Sequence, residues 1–565
     1  MKSVIDWLMP KRSSCLSTYL VVCFFSSSAF SASVALLSPN ARDQIEQEQA
    51  ERLKNIESSE QDIERLNTFE PLPELPSQDS HQCFEIKEIE FKGSTLFSSE
   101  ELLELIEFVP SCLSITDINE YLRVITNEYI SLGYVTSRAF LAPQDLSDGV
   151  LELIIIEGQV EKGMLNGKEQ GAITQAYPVK AGDLLNLRDI EQALDQINRL
   201  QRYNAQIQIV PSEQQGFSVV EIKSTEGKPW FVSVGYNNGG SENTGEQQVS
   251  GYFETGDLLN LLEKWTLSGS KSAESSDLFD SESLNFSLDI PYGYWNASYR
   301  SSYSSYLTSF EHNGFLIDSS GRTNTHNVGL NYLLFRDNKS KAKITTTLSH
   351  RRDKNFMMGS LIEASSRNLS HGMAGMEYSS RIGSGFITLY PQLFWGTDWF
   401  GGEESLSNDD RLPQAEFFKG ALTTSYSTQL VSSLGYRTTL FGQWSNDTLY
   451  GSQRISIGGQ YSVRGFKNAS ISGDQGYYWR NELSYSFGQV GIIGDVRLEL
   501  AIDTGAIVKD KHDQYEQGSL IGSALAIKTR NKYVSTQLSI GAPIDHPDRL
   551  NPDDYSLNYT IDISF

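Results

Sequence analysis

The residue types that usually carry catalysis are present in this chain, but not in patterns that would let them act together. The seven histidines are scattered, and neither an H-E-x-x-H nor a G-x-S-x-G spacing occurs. Gly167-Lys168 is followed by Glu169, and the glycines upstream do not stand at the spacing of a phosphate-binding loop. The chain therefore reads as a non-enzyme with no cofactor. Of four cysteines, Cys15 and Cys23 lie in an N-terminal stretch that reads as a removable signal, which leaves Cys83 and Cys112. In an exported chain an oxidising compartment makes a disulfide between them the default. A metal site would need more ligands than these two, and no histidine cluster lies near them.

The export signal occupies residues 1–32. Lys2, Lys11 and Arg12 form a basic region, Leu16 to Phe25 a short apolar run, and small residues follow from Ser26 to Ala35. The apolar run is too short to span a bilayer and dissolves into serines. No later window resembles a transmembrane helix, so if the mature chain crosses a membrane it must do so as a closed barrel. The formal net charge of −25 argues against a nucleic-acid partner and fits a well-solvated surface.

Four regions follow. Residues 38–66 predict a helix, with Ser38 as cap and Pro39 at the first helical position. Its apolar residues, Ile45, Leu53, Ile56, Ile63 and Leu66, are sparse. Such a helix lies in water or in a polar cavity rather than on an ordinary core. Residues 67–81, with Pro71, Pro73 and Pro76, read as an extended linker. Residues 82–158 predict a compact α+β unit: a strand through Phe84, Ile86, Ile89 and Phe91, a helix around Leu102 to Ile106, and a second helix from Ile115 to Leu132. Strands at Tyr134 to Leu141 and Val150 to Ile156 complete it. Residues 159–226 repeat that order in shorter form, with a helix from Leu187 to Leu200 and strands at Ala205 to Val210 and Phe217 to Ile222.

From residue 228 to residue 565 helical periodicity gives way to two-residue alternation. Trp230, Val232, Val234 and Tyr236 alternate with Phe231, Ser233, Gly235 and Asn237, and the last segment alternates from Tyr555 to Phe565. Apolar outside and polar inside is the pattern of a transmembrane β-barrel, and the length allows about 16 strands. The fold class read from the sequence is thus two α+β units followed by a transmembrane antiparallel barrel.

Several stretches then resemble a known family. CFEIKEIEFKGSTLFSSEELLELI, GYVTSRA and EGQVE in the first unit, LNLRDIEQALDQINRLQRYNAQI in the second, and SLDIPYGYW, HRRDKNFMMG, GGQYSVRGF and YYWRNEL in the barrel are similar to the outer-membrane transporters of two-partner secretion, the haemolysin and filamentous-adhesin secretors. The resemblance implies two polypeptide-transport-associated (POTRA) domains in the periplasm and an N-terminal helix that plugs the barrel. It also implies a disulfide joining Cys83 to Cys112. The tetrad Val463, Arg464, Gly465 and Phe466 would sit at the tip of a loop folded back into the barrel. Arg464 would pair with an acid on the inner wall in a D-x-G strand, here Asp503 and Gly505. The plain alternative is that Arg464 is an ordinary surface-loop arginine.

The terminal Phe565 would be read by the machinery that inserts barrels. The implied partners are a secreted exoprotein with an N-terminal secretion domain, periplasmic chaperones, the barrel-assembly machinery and outer-membrane lipid. The implied activity is capture of that exoprotein by the POTRA domains and its passage through the barrel without ATP. The alternatives are a barrel-assembly insertase of the same superfamily and a passive porin.

Overall fold

The computed structural model describes residues 39–64, 72–73, 83–168, 175–274, 276–405, 409, 411–509 and 517–565. The signal, the Ser38 cap and, apart from Leu72 and Pro73, the linker lie outside the described residues.

Helix α1 runs Pro39–Glu64. Its buried positions Ala41, Ile45, Gln49, Ile56, Ser59, Glu60 and Ile63 recur at helical spacing on one side, so the helix has a contact face, but one of mixed polarity.

The first α+β unit contains β1 (Cys83–Ile86), β2 (Glu88–Lys92), α2 (Ser99–Leu105), β3 (Ser111–Ser114), α3 (Ile115–Ser131), β4 (Arg138–Leu141) and β5 (Val150–Ile156). The stretch read as one strand is two. β1 pairs antiparallel with β3, whereas β2 pairs parallel with β5 in the sheet β2-β5-β4. The chain changes sheets at Lys87, where the amides of Lys87 and Glu88 both donate to the Gly149 carbonyl. The strand expected from Tyr134 begins only at Arg138, because Tyr134 to Ser137 form a turn closed by Ser137 N–H on the Tyr134 carbonyl. Both helices start at capping boxes, Ser98 with Glu101 and Ser114 with Asp117, which satisfy otherwise orphaned first-turn amides.

The second unit contains β6 (Gln159–Leu165), α4 (Leu187–Asn198), β7 (Tyr203–Pro211) and β8 (Phe217–Glu226), with sheet order β6-β8-β7. Leu185, Ile190, Ile197, Leu200 and Tyr203 fill its core.

The remaining strands are β9 (Trp230–Asn237), β10 (Gln248–Gly256), β11 (Lys264–Ser272), β12 (Phe279–Tyr292), β13 (Trp295–His312), β14 (Phe315–Arg336), β15 (Ser340–Met357), β16 (Ser360–Leu361), β17 (Asn368–Ile382) and β18 (Gly385–Thr397). They continue with β19 (Phe418–Val431), β20 (Leu434–Ser445), β21 (Ile455–Ile457), β22 (Ile471–Gly473), β23 (Gly476–Val490), β24 (Gly494–Ile507), β25 (Gly518–Arg530), β26 (Val534–Asp545) and β27 (Ser556–Ser564). Neighbours pair antiparallel, and β27 closes on β9 to give a barrel of 16 through-going strands. The two-residue β16 is an addition beyond the β15–β17 ladder. β21 and β22 pair only with each other. Exposed apolar side chains such as Leu557, Ile561 and Ile563 line the outside, while Ser556 is buried within. No helix among the described residues is long and apolar enough to cross a membrane.

Candidate functional site: the plugged lumen

Between β20 and β23 the chain turns back into the barrel as the β21–β22 hairpin, with Val463 to Phe466 between those strands. An apolar cluster holds it there. Val463, Phe466, Ile455, Ile457 and Ile471 pack against Phe441, Tyr478, Ile507 and Leu520 of the inner wall. A hydrophobic cluster inside a polar lumen gives this loop one fixed seat.

At the tip, Arg464 grips Asp503 of β24 with a planar fork: Nε donates to Oδ2 at 2.6 Å and Nη2 to Oδ1 at 2.7 Å. The Arg464 amide adds a third bond to Oδ2 at 3.1 Å. Nη1 reaches a second acid, Glu482 of β23, at 2.6 Å. Glu482 also accepts from Arg480 at 2.7 Å, and Arg480 donates to the Gln460 carbonyl at 2.9 Å. Two guanidiniums and two carboxylates thus alternate, so each buried charge faces an opposite one. Asp503 is fully buried.

Gly465 has φ +96°, and a Cβ there would lie 2.4 Å from the Ala542 carbonyl oxygen, so the tip requires glycine. Gly505 lies beneath the loop; a Cβ on it would come 3.1 Å from Val463 Cγ2 and 2.9 Å from the Tyr477 carbonyl oxygen. The D-x-G spacing therefore supplies an acid and, on the same inward face, the room for the loop it holds.

Helix α1 lies in the same lumen. Gln49 donates to the Ser456 carbonyl at 2.9 Å, and Arg52 donates to the Tyr478 hydroxyl at 2.7 Å while stacking over Phe441. Ser59 donates to Glu377. Arg437 pairs with Glu57 at 2.9 Å and Glu60 at 2.7 Å. The helix is fastened largely by polar contacts to β17, β20, β23 and the inner loop.

At the barrel rim the second α+β unit docks on three turns. Leu262, in the turn between β10 and β11, is buried inside that unit's own core. Gln192 donates to the Gly293 carbonyl at 3.0 Å. Arg336 sits between Glu191 at 3.2 Å and Asp195 at 2.8 Å, and Lys341 reaches Asp195 at 2.7 Å.

In the first unit the GYVTSRA and EGQVE stretches meet, with Gly158 N–H donating to Ser137 Oγ at 3.1 Å. Burial alone would raise the Glu157 carboxyl, but the Thr95 hydroxyl, the amides of Thr95 and Leu96 and the Tyr129 hydroxyl hold it below the usual range. Cys83 and Cys112 form a disulfide between β1 and β3, with Cα atoms 5.4 Å apart. Phe565 follows the closing strand, its amide donating to the Val232 carbonyl at 2.9 Å.

A closed barrel with a helix in its lumen, an inward loop clasped to its wall and two α+β units at its rim defines an outer-membrane polypeptide transporter with periplasmic POTRA domains. Residues 216–529 match the model of the haemolysin secretion/activation proteins ShlB/FhaC/HecB. Residues 84–158 match the ShlB-type POTRA domain, and residues 158–211 a further POTRA domain. The chain is 36% identical over 555 residues to the outer membrane transporter CdiB of Dickeya dadantii strain 3937, covering 97% of this chain and 99% of that one. It is 35% identical over 542 residues to the outer membrane transporter CdiB of Escherichia coli O6:K15:H31, covering 95% and 92%. The solved structure of CdiB from Escherichia coli superposes with a TM-score of 0.91 at 34% identity, covering 94% of this chain and all of that one. The chain belongs to the ShlB/FhaC/HecB family of two-partner secretion transporters.

Proposed function

We propose that this transporter captures a partly unfolded exoprotein of the haemolysin or adhesin class in the periplasm and passes it through the barrel to the cell surface without ATP and without catalysis by its own residues. The observation that carries this reading is the lumen itself: a polar passage closed by a helix held through side-chain contacts that can be exchanged for water. The sheets β2-β5-β4 and β6-β8-β7 have open edges. An extended segment can add to such an edge through backbone hydrogen bonds without strict sequence demand. Folding of the exoprotein outside then supplies direction. On this reading residues 1–32 act as the export signal, chaperones and the barrel-assembly machinery deliver the chain, and a displaced plug gives porin-like leakage.

The test is to co-express the chain with a candidate exported partner of the haemolysin or adhesin class, in a Gram-negative host lacking both. The exoprotein should reach the surface only when the transporter is present. Release without the transporter contradicts the proposal. A general fall in other outer-membrane barrels on removing the transporter favours an insertase.

A further inference from the structure

His350 to Met357 of the stretch HRRDKNFMMG lie on β15. Its alternation sends Arg351 and Asp353 inward, where they pair at 2.7 Å and Arg351 is buried. His350, Arg352 and Lys354 therefore face outward. On the adjacent β14, Thr323 and Thr325 are buried inward, so Arg322, Asn324 and His326 also face outward. The register places Arg322 opposite Lys354, Asn324 opposite Arg352 and His326 opposite His350. These are three consecutive outward rungs, spanning about 14 Å along the strands.

No ion pair to a carboxylate forms at Arg322, Arg352 or Lys354 among the described residues. Of the acids on neighbouring elements, Glu282 bonds to Ser305 and Lys271, Asp318 accepts from Ser309, and Glu403 pairs with Arg367. In a chain of net charge −25, three cations on two adjacent rungs of the barrel's outer wall stand out, with His326 and His350 on the next rung bonded to Tyr299 and Ser370.

Its height identifies what it meets. One rung nearer the POTRA end, Val328 and Leu348 are opposite each other, and the same rung continues through Gly372 to Trp395 and Phe418. Val328, Trp395 and Phe418 are exposed apolar side chains. From Arg336 at the rim to Val328 the strand climbs about 20 Å along the barrel axis at the usual rise and tilt. The ladder therefore starts near the upper edge of an apolar band about 25 Å tall. That level is the headgroup layer of the outer leaflet, where the membrane's glycolipid carries its phosphates. Phospholipid headgroups of the inner leaflet lie at the opposite edge.

We propose that these three rungs bind the phosphates of outer-leaflet lipopolysaccharide. Arg322 and Arg352 present forks that match phosphate oxygens, and Lys354 adds a point charge. Asn324 can bond to the sugar. The apolar rung below receives the acyl chains. The site rests on outer-membrane location, and it is separate from secretion.

The experiment measures binding of purified full-length transporter in detergent to lipid A. Bisphosphorylated lipid A should bind, and its dephosphorylated form about tenfold more weakly or worse, as expected for lost charge-assisted contacts. The triple variant R322Q/R352Q/K354Q should lose binding to the same degree, whereas K180Q/K223Q/K228Q, which removes equal charge from the exposed surface of POTRA 2 and its junction with the barrel, should not. Heat-modifiable migration reports barrel folding. The single variant R352Q, expected to weaken binding about threefold, keeps the test intact should the triple variant misfold. Millimolar inorganic phosphate and phosphatidylglycerol micelles should not displace lipid A. Unchanged binding by the folded variants, equal loss in the control variant, or displacement by either competitor would overturn the proposal.

Discussion

Arg464 meets Asp503 through two parallel hydrogen bonds of 2.6 and 2.7 Å, and the same guanidinium spends its remaining nitrogen on Glu482. The inward loop is therefore tied to β24 and β23 at once. Breaking one side of a buried pair costs about 3–5 kcal/mol, because the other charge is left uncompensated.

Arg464→Ala should accordingly reduce exoprotein secretion sharply while the barrel stays in the outer membrane at near-normal level. Asp503→Ala should resemble it, and the double variant should be less than additive because both singles break one pair. Arg464→Lys should not restore function fully, since an ammonium cannot form the fork. Secretion measured beside outer-membrane abundance decides this, and additive losses would contradict the coupling.

Removing residues 39–64 should open the lumen. The helix contacts β17, β20 and β23 and occupies space that water and ions would otherwise fill. Planar-bilayer conductance should rise severalfold in the deletion, and Arg437→Gln should raise the frequency of openings by releasing Glu57 and Glu60. Secretion should persist in the deletion, because the plug must leave for cargo to pass. Unchanged conductance would contradict a plug that closes the pore.

The disulfide ties β1 to β3 across a sequence separation of 29. Cross-linking a loop of that size stabilises by about 3.6 kcal/mol in the chain-entropy account. Cys83→Ala with Cys112→Ala should make the first POTRA domain open to protease at lower denaturant than in the parent. The β-barrel's heat-modifiable migration should stay unchanged. Equal protease sensitivity would show that the bond carries no stability.

Acidification should loosen the same domain. Glu157 is held below its ordinary range by its hydrogen-bond donors, despite burial. A carboxyl depressed in the folded state contributes stability that is present above its unfolded value and lost as pH falls through its folded value. Hydrogen exchange at Thr95 and Leu96, whose amides donate to Glu157, should therefore quicken as pH falls below the ordinary carboxylate range, relative to intrinsic rates. Glu157→Gln should remove that pH response.

The parts readable in the sequence are those with a short-range signature. Two-residue alternation exposes the barrel, and the pairing of Arg464 with Asp503 comes through the family resemblance that the tetrad and the D-x-G strand carry. Glu482 escapes notice although it stands in YYWRNEL, because which acid faces the loop depends on the register of β23 on β24 beneath it. The apolar cluster that seats the loop is hidden for the same reason: Ile455, Ile457 and Ile471 look like ordinary strand residues. Leu262 belongs to a different domain's core than its sequence position suggests. The four leucines Leu258, Leu259, Leu261 and Leu262, set around Asn260 within a turn, are the one signal that could have found that docking. The break at Lys87 leaves a trace in the hydrophobic pattern: Phe84 and Ile86 keep one alternating phase and Ile89 and Phe91 the other, so the rhythm slips by one residue where the chain changes sheets.

The most direct test reconstitutes the full-length transporter into liposomes with its POTRA domains outward and adds the candidate exoprotein in urea-unfolded form, without ATP. The account predicts that exoprotein becomes protease-protected inside the vesicles, that Arg464→Ala vesicles protect far less, and that exoprotein folded beforehand is not protected. Failure of protection, or protection that appears only with added ATP, would contradict it.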